Sequence, residues 1–246
     1  LEGLPRHIST HAAGIIISDV DLVNYTPLQE GINGLSQTQY EATDLEKIGL
    51  VKIDFLGIRN LTIIDEVISR TGEEIKANTI PLEDKETYQM IASGDTDGLF
   101  QLESGGMRKT LMMLKTSEFN DIVNAIALFR PGPKDMIPSF VRRKFGQEKI
   151  EYLHPDLKDI LKSTYGIIVY QEQIIQIAQK FAGYTAGQAD ILRRAITKKT
   201  ADVLVAERER FVEKATKLGH SVTISNEVYD YIVKFANYGF NKSHGV

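Results

Sequence analysis

The 246-residue sequence contains no cysteine. That absence excludes disulfide scaffolds and thiolate metal sites and fits a reducing compartment such as the cytoplasm. No apolar run reaches the roughly 18 residues that a membrane span needs, so no membrane partner is expected. The chain opens at Leu1 without an initiator Met and without a charged-then-apolar signal pattern, and it reads as a piece of a longer protein. There is no internal repeat and no low-complexity linker. An excess of positive charge is missing too, because the formal net charge is −4.

The charge that is present is unevenly spread. From Asp19 to Glu103 there are 17 acidic and 6 basic side chains. From Arg108 to Lys149 the balance reverses, with 9 basic against 4 acidic, and from Asp190 to Lys217 it is 8 against 5. Such asymmetry bears on partners rather than on fold. It suits either a polyanion-binding surface or ordinary solvated helix faces.

Two apolar runs, Gly14 to Ser18 and Leu50 to Phe55, read as short strands. Between them Gly31-Ile32-Asn33-Gly34, flanked by Leu28 and by Leu35 to Tyr40, predicts a hairpin. After Gly57 the period becomes helical. Leu61, Ile64, Val67 and Ile68 form one stripe that Gly72 ends; Tyr88 and Ile91 form another that Gly94 ends. Ile122, Ile126 and Phe129 mark a third helix, stopped by Arg130-Pro131-Gly132-Pro133. Gly166 to Tyr170 reads as one short strand, followed by a helix through Ile174 to Phe181 that stops at Gly183. Thr185 and Gln188 have the spacing of a capping box, opening a helix that runs to Lys198. Two more helices are predicted at about 201–218 and 226–237.

Three segments could carry chemistry. In Gly49-Leu50-Val51-Lys52-Ile53-Asp54-Phe55-Leu56-Gly57, strand alternation puts Lys52 and Asp54 on one face, opposite Val51, Ile53 and Phe55. An ammonium and a carboxylate there suit a metal and a phosphate, or simply a surface salt bridge. In the helix through Ala189 to Lys199, Ile191, Leu192, Ala195 and Ile196 form the buried side, while Arg194 and Lys198 share another face with Arg193 beside them. Like charges at that spacing repel in an isolated helix. A phosphate would turn the repulsion into binding, because guanidinium forks match phosphate oxygens; a solvated face is the alternative. In the last segment, Phe235 to His244, rings interleaved with Asn, Lys and His suit stacking on a base or sugar, or a capped helix followed by a core-packing aromatic.

Weaker candidates are set aside. His7 and His11 are four apart but lack a third ligand. Ser104-Gly105-Gly106 lacks the Gly-Lys-Ser/Thr ending of a phosphate-binding loop. Arg142, Arg143 and Lys144 read as a solvated basic face able to touch a DNA backbone, as do Lys198 and Lys199.

Seven stretches together resemble one family. They are Thr10-His11-Ala12-Ala13-Gly14, Val51 to Gly57, Phe100-Gln101-Leu102-Glu103-Ser104, Ala127 to Pro133, Tyr165 to Gln173, Leu192-Arg193-Arg194-Ala195 and Tyr238 to His244. In order and coverage the chain is similar to the bacterial C-family replicative polymerases, the DNA polymerase III alpha subunits. The resemblance implies an α+β, predominantly α fold, with residues 1–58 ending a nucleotidyltransferase-type palm sheet and residues 59–246 beginning helical fingers. It implies that Asp54 supplies the third carboxylate of a two-Mg²⁺ site whose first two come from an upstream Asp-x-Asp motif absent here, with Lys52 beside it. Arg193 and Arg194 would hold the triphosphate, with Tyr238 and His244 beside the incoming nucleotide. The implied partners are primer-template DNA, dNTPs and, in the intact protein, the sliding clamp and other replisome subunits. Without the Asp-x-Asp motif the chain alone is expected to be inactive. Rival readings are a non-catalytic helical nucleic-acid-binding module and a structural α+β domain with solvated charges.

Overall fold

The computed structural model describes residues 9–57, 59–72, 75–76, 79–198, 201–236 and 239–246. Backbone contacts divide the chain into two compact units, Leu1–Ile75 and Lys76–Val246.

In the first unit β1 (Gly14–Ile17) runs antiparallel to β4 (Val51–Asp54), with Gly14 opposite Asp54 and Ile16 opposite Lys52. β2 (Leu28–Glu30) and β3 (Ser36–Thr38) form the expected hairpin. Its turn places Asn33 at φ 60°, in the left-handed region that Asn tolerates better than most residues. Helix α1 (Ala42–Lys47) leads into β4 and seats Leu45 in the interior, as the following loop seats Leu50. The pleat leaves Ile15, Ile17, Val51 and Ile53 together on one face, and all four are exposed. Helix α2 (Arg59–Thr71) carries the expected apolar stripe, yet none of its residues is buried and Leu61, Ile64 and Val67 are exposed.

The second unit is helical. Asp84 caps α3 (Lys85–Ser93) by accepting from the Glu86 N–H, and Gly94 ends it at φ 82°. Helix α4 (Gly105–Leu114) begins with two glycines. Ser104 accepts the Met107 N–H as its cap, and the Phe129 ring packs where Gly106 lacks a side chain. A Cβ on Gly106 would lie 2.4 Å from Phe129 Cζ. Helix α5 (Phe119–Leu128) stops before the two prolines, and α6 (Ile137–Lys144) follows them. A short α7 (Lys158–Leu161) precedes α8 (Gln171–Ala182), which Gly183 ends at φ 65°. Helix α9 (Ala186–Lys198) opens on the expected capping box. The Gln188 N–H donates to Thr185 Oγ1 at 3.3 Å, and the Thr185 N–H donates to Gln188 Oε1 at 3.2 Å. Helices α10 (Ala201–Lys217) and α11 (Val222–Ala236) complete the unit. Its core joins Leu111, Leu114, Leu128, Phe140, Phe181, Phe211 and Tyr229.

The strand expected at Gly166 to Tyr170 is not formed. The segment is buried, but its only pairing among the described residues is a single parallel bridge from Tyr170 to Phe240. Side chains satisfy its backbone instead. Gln173 Oε1 accepts from the Val169 and Tyr170 N–H groups at 2.9 and 3.0 Å, and the Thr164 hydroxyl donates to the Ile167 carbonyl at 2.6 Å. A buried backbone group must find a partner, but a sheet is not the only source of one.

Candidate functional site

Strand β4 holds the first group of candidates. Lys52 Nζ lies 3.0 Å from Asp54 Oδ1 and 3.2 Å from Oδ2, confirming by geometry that the two share a strand face. His11 joins them, with Nδ1 3.6 Å from Asp54 Oδ1 while accepting the Ala13 N–H at 3.2 Å. Gly14, opposite Asp54, makes this approach possible, since a Cβ there would lie 2.9 Å from both His11 Nδ1 and Lys52 Cε. Asp54 is about half exposed, so its oxygens are accessible from solvent. It is a hard oxygen donor of the kind Mg²⁺ prefers. It joins no cluster of three metal-ligating side chains among the described residues, so a cation at Asp54 would need further donors.

Helix α9 holds the second group. Arg193 donates from Nε and Nη2 to Asp190 Oδ1 at 2.9 and 2.8 Å, and from Nη1 to Gln171 Oε1 at 3.3 Å. Arg194 Nε lies 2.8 Å from Asp190 Oδ2. One carboxylate therefore offsets the repulsion between adjacent guanidinium groups. The hydrogen bond from Arg193, with the charge of both arginines, holds the Asp190 carboxyl below its ordinary pKa. Arg193 is largely covered, whereas Arg194 is 68% exposed. The apolar side of the helix differs from expectation: Leu192 and Ile196 are buried together with Ala189, but Ala195 is only partly buried and Ile191 is exposed.

Gln171 carries the network onward by donating from Nε2 to the Gly239 carbonyl at 3.1 Å. The terminal segment is anchored nearby, as the Lys242 N–H donates to both Glu172 carboxylate oxygens at 3.1 and 3.2 Å. Phe240 is buried and packs against the Arg130 guanidinium at 4.9 Å, so it is a core aromatic and not a stacking platform. His244 is exposed, edge-on to the Phe240 ring at 5.7 Å. Tyr238, Lys199 and the side chain of Lys198 lie outside the described residues.

The expected solvated face at Arg142, Arg143 and Lys144 is corrected. Lys144 is largely covered, bonded to the Asp121 carboxylate and donating to the Leu114 carbonyl at 2.8 Å. Arg143 binds Glu148 at 2.7 Å and donates to the Tyr165 carbonyl at 3.2 Å. Only Arg142 of the three is half exposed, and it too pairs with Glu148 at 2.8 Å. Helix α6 turns its charges inward because α5 and the following loop present carboxylates to it.

Sequence reasoning missed three participants. Asp190 was legible, three and four residues before the arginines. Gln171 and Glu172 were not, because they act on residues about seventy positions away.

The chain matches two family descriptions. Residues 60–219 match the bacterial DNA polymerase III alpha subunit finger domain, and residues 1–57 match the bacterial DNA polymerase III alpha NTPase domain. The matches meet near residue 58, whereas the compact units part after Ile75. The whole chain is 52% identical to a DNA polymerase III subunit alpha of Bacillus subtilis and covers 22% of that protein. It is 50% identical over its whole length to the same-named protein of Staphylococcus aureus, covering 23% of it. The chain thus spans less than a quarter of the relatives it matches. On these matches, which take in nearly every residue of both units, the chain belongs to the bacterial DNA polymerase III alpha subunit family.

Proposed function

We propose that this chain is the palm-to-fingers segment of a template-directed DNA polymerase, with residues 1–58 ending the palm and 59–246 beginning the fingers. The reaction is attack of a primer 3′-hydroxyl on the α-phosphate of a dNTP, with pyrophosphate leaving. The observation that carries this reading is the Lys52–Asp54 pair on one strand face, Asp54 opposite Gly14, in a chain 52% identical over its own length to a polymerase subunit.

In this reading Asp54 offers a hard oxygen ligand, and Lys52 neutralises charge at the reacting phosphate. Bound Mg²⁺ supplies Lewis-acid stabilisation of the attacking and leaving oxygens. Arg193 and Arg194 hold the triphosphate tail by electrostatic positioning, as phosphoryl-transfer sites generally do. Asp190 and Gln171 orient the Arg193 fork before the nucleotide arrives. Tyr238 and His244 lie beside the nucleotide, and Arg142, Lys198 and Lys199 face the DNA backbone. The intact protein works in the bacterial cytoplasm with primer-template DNA, the sliding clamp and other replisome subunits. A single carboxylate binds Mg²⁺ weakly, because such sites combine carboxylates with substrate phosphates. The isolated chain is therefore inactive.

The test is Asp54→Asn in the full-length polymerase. Primer extension should vanish while primer-template affinity stays close to that of the parent. Retained extension would exclude Asp54 from the chemistry.

A further inference from the structure

A second set of metal-ligating atoms lies wholly within the helical unit, in residues that the polymerase reading does not use. His154 and Asp156 sit on the turn before α7, and His220 follows α10. His154 Nδ1 lies 3.3 Å from Asp156 Oδ2, and His220 Nε2 lies 3.6 Å from the same oxygen. All three ligand atoms fall within 4.8 Å of one another. We propose that His154, Asp156 and His220 bind a zinc-class divalent cation that clips the turn before α7 to the turn between α10 and α11.

Three arguments support the proposal. The first is spacing. Ligand bonds of about 2.0–2.1 Å at tetrahedral angles put ligand atoms about 3.3–3.5 Å apart. One edge, 3.3 Å, falls in that range, a second is 3.6 Å, and the third is at most 4.8 Å.

The second is preorganisation. The His220 ring stacks on buried Phe181 with centroids 3.9 Å apart and planes 12° apart, and the His154 ring stands edge-on to the same phenylalanine at 5.2 Å. Gly219 at φ 95° follows α10 and delivers His220 to that place, and the His220 N–H donates to the Ala215 carbonyl at 3.2 Å. The His220 side chain is 13% exposed and that of Asp156 36%, so the site is formed yet open to an ion.

The third is lone-pair bookkeeping. The Asp156 N–H points at His154 Nδ1 at 3.3 Å, which marks that nitrogen as an acceptor. Where Nδ1 carries no proton, it and the Asp156 carboxylate oxygen 3.3 Å away are two lone-pair donors facing each other. A cation resolves that conflict, replacing one long capping bond with a coordinate bond. Two imidazoles with one carboxylate suit zinc far better than magnesium, which takes oxygen ligands. Water completes the tetrahedron. Because only the folded chain presents the three ligands together, binding stabilises it by mass action.

The test uses the full 246-residue chain, stripped of metal and free of any tag. Zinc chloride should raise the melting temperature and bind one-to-one, and magnesium chloride should do neither. Cobalt(II) should give the absorption of a tetrahedral ion. Asp156→Asn keeps the residue's size, and His220→Gln removes the stacked ligand; each should weaken zinc binding by about tenfold or more. Should His220→Gln fail to fold, Asp156→Asn decides alone. Absence of zinc binding to the parent chain overturns the proposal. So does undiminished zinc affinity in either folded variant, because the ion would then sit elsewhere.

Discussion

The Asp121 carboxylate, 1% exposed, is bonded to the ammonium of Lys144. It also accepts from the Ser117 N–H at 2.9 Å and the Ser117 hydroxyl at 3.3 Å, so one buried acid ties α6 to the start of α5. Removing one partner strands a charge in the interior, which costs about 3–5 kcal/mol. Lys144→Ala should therefore lower stability by that amount in urea denaturation. A loss below about 1 kcal/mol, the range of a surface pair, would show that the pair is solvated.

Glu148 makes stability depend on acid. The Ser139 hydroxyl and then the Arg143 and Arg142 guanidinium groups hold its pKa down, from 4.5 to about 2. A depressed carboxyl contributes stability that is complete above its unfolded pKa and is lost as pH falls through the folded one. The window is thus between pH 4.5 and about 2. Glu148→Gln should flatten the fall of melting temperature across this window. An unchanged slope would place the acid sensitivity elsewhere.

Gly106 has no room for a methyl group, since the Phe129 ring occupies its place. Gly106→Ala would ordinarily favour a helix by up to about 1 kcal/mol. Here overpacking against a ring should reverse the sign and destabilise by about 1–3 kcal/mol. Adding Phe129→Leu to Gly106→Ala should recover part of the loss, which a propensity effect would not allow.

Alanine at Arg193 or Arg194 in the full-length polymerase should raise KM for all four dNTPs by about tenfold or more, the weight of a charge-assisted hydrogen bond. Phosphate contacts carry no base information, so the four should shift together. A defect confined to one nucleotide would mean base readout. Asp190→Asn should act through Arg193, raising KM less than removal of the arginine and leaving kcat little changed.

Local rules made most of the fold legible. Thr185 and Gln188 announced α9, while Gly94 and Gly183 marked the stops of their helices. The pairing of Lys52 with Asp54 followed from the two-residue period of a strand. Errors arose where a distant residue overrode a local one. The Val169 N–H is held by Gln173 rather than by a neighbouring strand. Lys144 looks like a solvated cation until α5 supplies Asp121. Of the candidate site, residue types and strand or helix faces could be read from sequence. The link from Arg193 through Gln171 to Gly239 could not, because no spacing rule spans it.

The bridge between Tyr170 and Phe240 has a consequence for synthesis. The Phe240 N–H donates to the Val169 carbonyl, and the Gln171 N–H to the Phe240 carbonyl, both at 2.9 Å. These bonds join the start of α8 to a segment that follows α11, so they close a ring of chain around helices α8 to α11. A ribosome delivers α8 to α10 long before Phe240, at about 5–20 residues per second. For several seconds the α8 entrance and the pocket for the Phe240 ring stay open on the nascent chain. Until Phe240 arrives, the Val169 carbonyl and the Gln171 N–H lack the partners that this segment supplies.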